Sequence, residues 1–251
     1  MKHFLFVLLF TFSLAHAQDG EVRTVKNATD GWIMRSGAKI KLAEGMGLKI
    51  GDSIHTENAQ VGILLYPKIQ MSLVKGTEIT LTQHLIDDNN EQTTSLIDLV
   101  KGLVRIQVTR DGSEKIDQKV NTKEVTFAVR GTEYEVLATE ADAELSVMEG
   151  EVEVTSPYVK SLVRELVKPG QGLRFDYKDR KFVHGAGKER VHDTLFLGRD
   201  EIRDRWEKKK AERLVKKMEH ENKNGLKDKK MENVKDRVED MLNRRGEPDD
   251  D

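Results

Sequence analysis

The sequence predicts a mainly β protein, namely an antiparallel β-sandwich or barrel-like domain followed by a charged α-helical extension. From Gly20 to Phe182 the chain is a series of short segments rich in Val, Ile, Leu and Thr and broken by Gly, which is typical of strands and turns. After Leu195 the pattern changes to Lys, Arg and Glu at helical spacing. Short strands without intervening helices favour antiparallel sheets over βαβ units.

The first half of the domain contains the clearest strand patterns. Val22–Val25 and Trp32–Arg35 are predicted to form a first pair. Val61–Tyr66 is almost continuously apolar, which indicates a strand that is buried on both faces or lies in a sandwich core. Pro67 ends this strand.

Several Gly-containing turns follow. Lys75-Gly76, Lys101-Gly102 and Glu149-Gly150 each separate two apolar segments. They are predicted to close β-hairpins, because glycine accepts the positive φ that tight turns require. Arg130-Gly131-Thr132 separates two further strands.

The N-terminus has the pattern of a secretory signal. Lys2 and His3 precede the apolar run Phe4–Leu14, and Ala15-His16-Ala17 fits the small-x-small cleavage pattern. The run is shorter than the roughly 20 residues that span a bilayer. We therefore expect residues 1–17 to be a signal peptide and the mature chain to be periplasmic or otherwise extracytoplasmic, without a transmembrane segment. An uncleaved anchor is the alternative.

The predicted β domain covers residues 18–183 and is followed by a linker at 184–198. Residues 199–245 are predicted to be the charged helical extension, and 246–251 a disordered acidic tail. The extension has two interpretations. It is either a solvated segment with weak self-association, or a coiled-coil or helix-in-groove contact with a partner. The oligomeric state is not predicted.

Composition excludes several kinds of chemistry. The 251 residues include no cysteine, and the formal net charge is -2. Disulfides, thiolate nucleophiles and thiolate metal sites are therefore absent, and no strong field favours nucleic acid. Histidines such as His55 and His84 lack metal-ligand spacing and are expected on the surface or in loops. We predict no catalytic, cofactor or metal site, and hence no enzyme.

Arg130-Gly131-Thr132 is the sharpest local feature, because it places an arginine inside an apolar β segment. A buried charge must be paired. In the structural interpretation Arg130 forms a bidentate pair with Glu149 or Glu133 and fixes a tight turn at Gly131. In the functional interpretation Arg130 contacts a partner.

Trp32 also has two interpretations. It is either a packing residue in the core or at a sheet edge, or a platform on which a sugar ring stacks. A glycan-binding face needs several exposed aromatic side chains, and only 6% of the residues are aromatic. This composition favours packing.

Four motifs in a fixed order resemble the FecR domain, a bacterial extracytoplasmic family. They are Leu48–Thr56, Leu99–Val104, Ala128–Val136 and Val147–Val154. The resemblance extends over about residues 20–175.

The resemblance implies a domain that binds other proteins of the cell envelope. The family's best-known members carry a sigma-factor-binding cytoplasmic segment and a membrane helix before this domain. Here a signal sequence stands in their place. We therefore predict a non-enzymatic envelope module for protein interaction or sensory regulation. The alternative is a protein that binds peptidoglycan or another glycan of the cell wall.

Overall fold

A computed structural model of the chain describes residues 19–27, 30–87, 91–109, 115–129, 131–159 and 164–190. The predicted signal peptide, helical extension and acidic tail lie outside the described residues, and so do residues 191–198 of the predicted linker. The described part contains no helix that is long and apolar enough to cross a membrane.

The described residues form seventeen β-strands, which confirms the prediction of a mainly β fold. The strands are β1 Gly20–Lys26, β2 Trp32–Arg35, β3 Ala38–Lys41, β4 Gly47–Leu48, β5 Ser53–His55, β6 Gln60–Leu65, β7 Ile69–Leu73, β8 Glu78–Asp87, β9 Gln92–Val108, β10 Lys115–Asn121, β11 Thr126–Val129, β12 Glu133–Ala138, β13 Asp142–Glu149, β14 Val152–Thr155, β15 Glu165–Val167, β16 Gln171–Asp176 and β17 Lys181–Ala186.

Hydrogen bonds join these strands into two sheets that share β9 and so form one continuous network. Sheet 1 has the order β4-β1-β6-β7-β9-β12-β13-β16-β17. Sheet 2 has the order β3-β2-β5-β8-β9-β10-β11-β14-β15. The second half of β9 pairs in sheet 1, and its first half pairs in sheet 2.

One pairing departs from the predicted antiparallel arrangement. β10 runs parallel to β9, with Lys115 opposite Gln92. A straight β9 would place Val108 about 53 Å from Gln92, yet the chain from Val108 to Lys115 reaches at most about 25 Å. β9 must therefore fold back on itself, and it does so at Gly102, whose φ is +93°.

The predicted hairpins at Lys75-Gly76, Lys101-Gly102 and Glu149-Gly150 are wrong. β7 and β13 belong to sheet 1, whereas the strands that follow them, β8 and β14, belong to sheet 2. At Gly102 a single strand passes between the sheets. These glycines mark corners where the chain changes sheet, because a tight turn with positive φ redirects a strand without determining its partner.

The predicted pairing of the first two strands is also wrong. β1 pairs with β4 and β6 in sheet 1. β2 pairs with β3 and β5 in sheet 2. Local alternation locates a strand, but long-range packing selects its partner.

Both sheets contribute alternate side chains to one apolar core. Its members include Ile63, Val104 and Phe175 from sheet 1, and Ile54 and Phe127 from sheet 2. Each fully buried side chain of this kind contributes about 1.5–3 kcal/mol of transfer free energy. The two sheets therefore pack face to face, as in a sandwich, and each keeps an outer face for other contacts.

The first sheet continues past the predicted end of the domain at residue 183. β17 extends to Ala186 and pairs with β16 over its full length. Residues 187–190 then leave the edge and return across the outer face of sheet 1. The Gly185-Ala186-Gly187 segment, predicted to be a linker, is therefore partly a strand.

Candidate binding groove and its surroundings

The outer face of sheet 2 carries a groove. Four residues in register form a row across it, namely Lys119 of β10, Ala128 of β11, Glu153 of β14 and Leu166 of β15. The methyl group of Ala128 is short, and the flanking side chains Lys119 and Glu153 are long. This alternation of heights creates the depression, whose volume is about 650 Å³.

The groove combines charges of both signs with an apolar wall. Lys115, Asp117 and Lys119 line its β10 side, where Nζ of Lys119 lies 3.6 Å from Asp117. Glu151 and Glu153 line its β14 side. Leu166 is 51% exposed on the short outermost strand. Basic, acidic and apolar groups within one depression suit an extended peptide segment better than a single small ion.

Three of the predicted site residues, Gly131, Thr132 and Glu149, lie close in sequence to Val129 and Gly150, which line one end of this groove. Arg130 lies outside the described residues. Gly131 has a φ of +61°, and the carbonyl of Thr132 accepts a hydrogen bond from the amide of Val108 (2.9 Å). Thr132 is 2% exposed, and the side chain of Glu149 is exposed.

Gly150 packs directly against this corner. An added Cβ at position 150 would lie 2.7 Å from the carbonyl oxygen of Gly131. Since Gly150 also has a φ of +73°, the two corners that connect the sheets here fit together only with glycine. The structure therefore brings Gly131, Thr132 and Gly150 together and gives Gly131 and Thr132 a packing role beside the groove.

Glu133 pairs with Arg105, an arginine that the sequence reasoning did not single out. Nε of Arg105 donates to Oε1 of Glu133 (2.8 Å). Arg105 Nη1 also lies 3.7 Å from Oε1 of Glu135, whose side chain is 0% exposed. Sequence reasoning missed Arg105, although an arginine inside the apolar run Leu103–Val108 gave the same signal as Arg130.

The Arg105 side chain is itself 9% exposed. Burial opposes its charged form, but the hydrogen bonds that Arg105 donates to Glu189 and Glu133 outweigh that effect. The pKa of Arg105 is consequently raised above its ordinary value, and the guanidinium stays charged. Arg105 is the positive centre of a carboxylate cluster on the outer face of sheet 1.

A short segment that we call the strap, residues 187–190, crosses this cluster. The amide of Lys188 donates to Oγ of Ser146 (3.0 Å), and Nη1 of Arg105 donates to Glu189 (2.6 Å). The amide of Arg190 donates to Glu135 (2.9 Å). The strap therefore lies over β13, β12 and β9 and is held to the outer face of sheet 1 as far as Arg190.

Trp32 lies on the outer face of sheet 2, away from the groove, with both ring faces covered. His55 stacks on one face with ring centroids 3.6 Å apart. Nζ of Lys39 lies 4.3 Å from the ring centroid. Because the imidazole of His55 occupies one face of the ring, Lys39 lies over the other face. The indole N–H donates to Glu57 (3.0 Å). This geometry supports the packing interpretation of Trp32 over the sugar platform.

His55 is the titratable member of this stack. Burial lowers its pKa below 6.5, Glu78 opposes the shift, and Lys101 adds to it. The imidazole Nδ1 lies 3.5 Å from Glu78, and Nε2 lies 3.2 Å from Oγ of Ser53. The folded state thus favours neutral His55.

A pH dependence of stability follows from this lowered pKa. The folded state binds fewer protons at His55 than the unfolded state, so its contribution is present above pH 6.5 and is lost as the pH falls through the folded pKa. We expect the free energy of unfolding to fall between about pH 7.5 and about pH 5.5, and His55→Asn to remove part of that slope. Urea unfolding at both values tests this; an unchanged slope in the variant contradicts it.

The prediction that the histidines lie on the surface or in loops is wrong for His84. His84 is 5% exposed in β8 and hydrogen-bonds the carbonyl oxygen of Tyr66. Within the described ranges, no three His, Cys, Asp or Glu side chains are grouped so that they could hold a metal ion.

Asp52 is a second buried charge whose role the sequence did not reveal. Its side chain is 1% exposed and accepts bidentate hydrogen bonds from Nε (2.7 Å) and Nη2 (2.6 Å) of Arg35. It also accepts from the amide of Lys49 (2.9 Å). The turn at Gly51-Asp52, just before β5, is thus held to β2 by an ion pair.

These features define an all-β domain with a mixed-charge groove on one face and a strapped ionic cluster on the other. Residues 52–153 match the family model described as FecR protein. This match supports a FecR domain within the chain, and proteins of the FecR family are typically associated with the cell envelope. The match includes most of the groove residues, Arg105 and Glu133.

Comparison with solved structures gave two similar crystal structures of a protein described as a candidate anti-sigma factor from Parabacteroides distasonis. The first has a TM-score of 0.45 and 18% identity. The second has a TM-score of 0.43 and 16% identity. Each match covers 54% of this chain and 60% of that chain, so this chain spans less than two thirds of their length. No curated protein sequence matches this chain.

Proposed function

We propose that this protein is an exported, non-enzymatic module of the cell envelope that regulates or senses by binding another protein through the groove on sheet 2. The single observation that carries the proposal is the groove itself. It joins a β10 wall with two lysines and Asp117, an acidic wall of Glu151 and Glu153, and the exposed side chain of Leu166. It lies almost entirely within the segment that matches the FecR family.

The charge arrangement indicates how a partner would be chosen. Lys119 and Glu153 face each other across Ala128, so a bound strand meets one charge of each sign on its two sides. Complementary charges give specificity and raise the association rate more than they raise affinity. The apolar contribution comes from Leu166 at the edge.

Site-specific photo-crosslinking in intact cells tests this proposal. We expect a photoreactive amino acid in place of Leu166 to crosslink one envelope protein, identified by mass spectrometry, and Lys119→Glu in the same chain to reduce the yield at least tenfold. The matched control is the same substitution at Val183, an apolar strand residue 37% exposed on sheet 1. Identical products at positions 166 and 183, or a yield unaffected by Lys119→Glu, would contradict groove binding.

Peptidoglycan binding is the alternative, and the geometry of Trp32 weighs against it. His55 and Lys39 cover the two ring faces on which a sugar would stack. Retention of the full chain on isolated peptidoglycan, lost in Trp32→Ala, would favour the glycan interpretation.

A further inference from the structure

We propose that the chain beyond Arg190 continues across the outer face of sheet 1, so that residues 191–197 cover Ser72 of β7 and Leu64 of β6. This docking surface lies on the opposite sheet from the groove and does not depend on the proposed function. Its occupant is the segment of this same chain that directly follows the strap.

The direction of the strap carries the first step. Along the chain, the amide of Lys188 donates to Ser146 of β13, Glu189 accepts from Arg105 of β9, and the amide of Arg190 donates to Glu135 of β12. The Arg190 guanidinium donates to Glu144 of β13. In sheet 1 the next strands after β9 are β7 and β6. From Lys188 to Arg190 the backbone amides pass from β13 to β12, which is the direction of β7 and β6.

The register of the sheet supplies the path. Glu135 is opposite Arg105, Arg105 is opposite Ser72, and Ser72 is opposite Gly62. Alternation along the strands places all four positions on the same outer face. Gly62 has no side chain, and Leu64 is two positions further along β6.

The distance fits the length of chain. From β12 to β6 is three strand spacings, or about 14 Å, and the two-residue offset to Leu64 adds about 7 Å along the strand. The diagonal is about 16 Å, and five extended residues span up to about 17 Å. Counting from Arg190, position 195 is the first that reaches Leu64.

The chemistry of the two surfaces also fits. Leu64 is 0% exposed on an outer face, where it forms a small cluster with Tyr66 and Ile86 that is separate from the main core. Ser72 is 0% exposed, and within the described ranges its Oγ has no hydrogen-bond partner. Residues 191–194 are mostly polar, and Leu195-Phe196-Leu197 is apolar. The polar part thus falls over Ser72 and the apolar part over Leu64.

Thiol labelling of the full-length chain tests the proposal, because the protein has no native cysteine. We expect Ser72→Cys to react with a small thiol reagent at least a hundredfold more slowly than Thr82→Cys at an exposed position of β8. Adding Leu195→Asp and Phe196→Asp should raise the Ser72→Cys rate at least tenfold. The matched control, Leu214→Asp with Met218→Asp, should leave it unchanged. A rate insensitive to the 195/196 changes, or equally raised by the 214/218 changes, would overturn the proposal.

A second measurement avoids any effect of the cysteine on folding. Benzoylphenylalanine in place of Phe196 keeps the aromatic shape and crosslinks what lies beside it. We expect an intramolecular product that maps to residues 60–73. A product on sheet 2, or one between two copies of the chain, overturns docking on sheet 1 and leaves the groove proposal intact.

Discussion

Gly102→Ala is expected to destabilise the protein by about 3 kcal/mol, because a positive φ and a steric overlap add together. Gly102 is the point at which β9 folds back, and its φ is +93°. An alanine Cβ there would lie 2.5 Å from Cα of Thr77 and 2.9 Å from the carbonyl oxygen of Gly76. Both neighbours are backbone atoms, so no side chain can move aside. Chemical denaturation of the purified protein measures the loss.

Gly76→Ala is the matched control for this prediction. Gly76 sits in the facing corner with a φ of +76°, and an added Cβ would meet nothing within 4 Å. It therefore incurs only the conformational cost, about 1 kcal/mol. Equal losses of stability at positions 102 and 76 would show that a Cβ fits at position 102. The close approach of the two corners would then not be the reason for glycine at that position.

Arg105→Met is expected to destabilise the protein by about 3–5 kcal/mol, the usual result when one partner of a buried ion pair is removed. The change leaves Glu135, with a side chain that is 0% exposed, without its cation. It also removes the arginine that pairs with Glu133, whose side chain is 13% exposed. Methionine preserves much of the apolar stem, so the loss reports the charge more than the packing.

The control and the rescue for Arg105 use neighbouring strands. Arg174→Met breaks an ion pair with Asp142 whose arginine is 44% exposed, and it should lower stability by less than about 1 kcal/mol. The double variant Arg105→Met/Glu135→Gln should recover part of the loss, since no charge remains buried at position 135. If Arg105→Met and Arg174→Met have equal effects, or if Glu135→Gln adds a further loss, the cluster does not have the proposed role.

The sequence predicts the strands of this fold well and their partners poorly. The position of Gly102 marks a change of direction, but the residues near it cannot show whether the next segment pairs back or enters another sheet. The choice depends on strands far along the chain, since β9 binds β7 and β12 in one sheet and β8 and β10 in the other. A local hairpin rule therefore fails at each corner of the sandwich.

The residues of the candidate site could likewise be predicted only where they lie close together in the sequence. The glycine of Arg130-Gly131-Thr132 signals a constrained turn, and Gly131 directly packs against Gly150, which lines the groove. The groove itself depends on Ala128 standing between Lys119 and Glu153, which only the register reveals. Arg105 meets Glu133 across 28 positions and Glu189 across 84. No spacing rule links residues so far apart, although a buried arginine in a strand predicts that some carboxylate must reach it.

The shared strand β9 has a mechanical consequence. Gln92 at its beginning lines the groove, and Arg105 near its end holds the strap. One continuous backbone therefore runs from the wall of the groove, around the corner at Gly102, to the anchor of the C-terminal segment. A displacement of β9 by a ligand in the groove would pull directly on that anchor, without a relay of side-chain contacts through the core. The groove on sheet 2 and the strap on sheet 1 are thus connected through the backbone of a single strand.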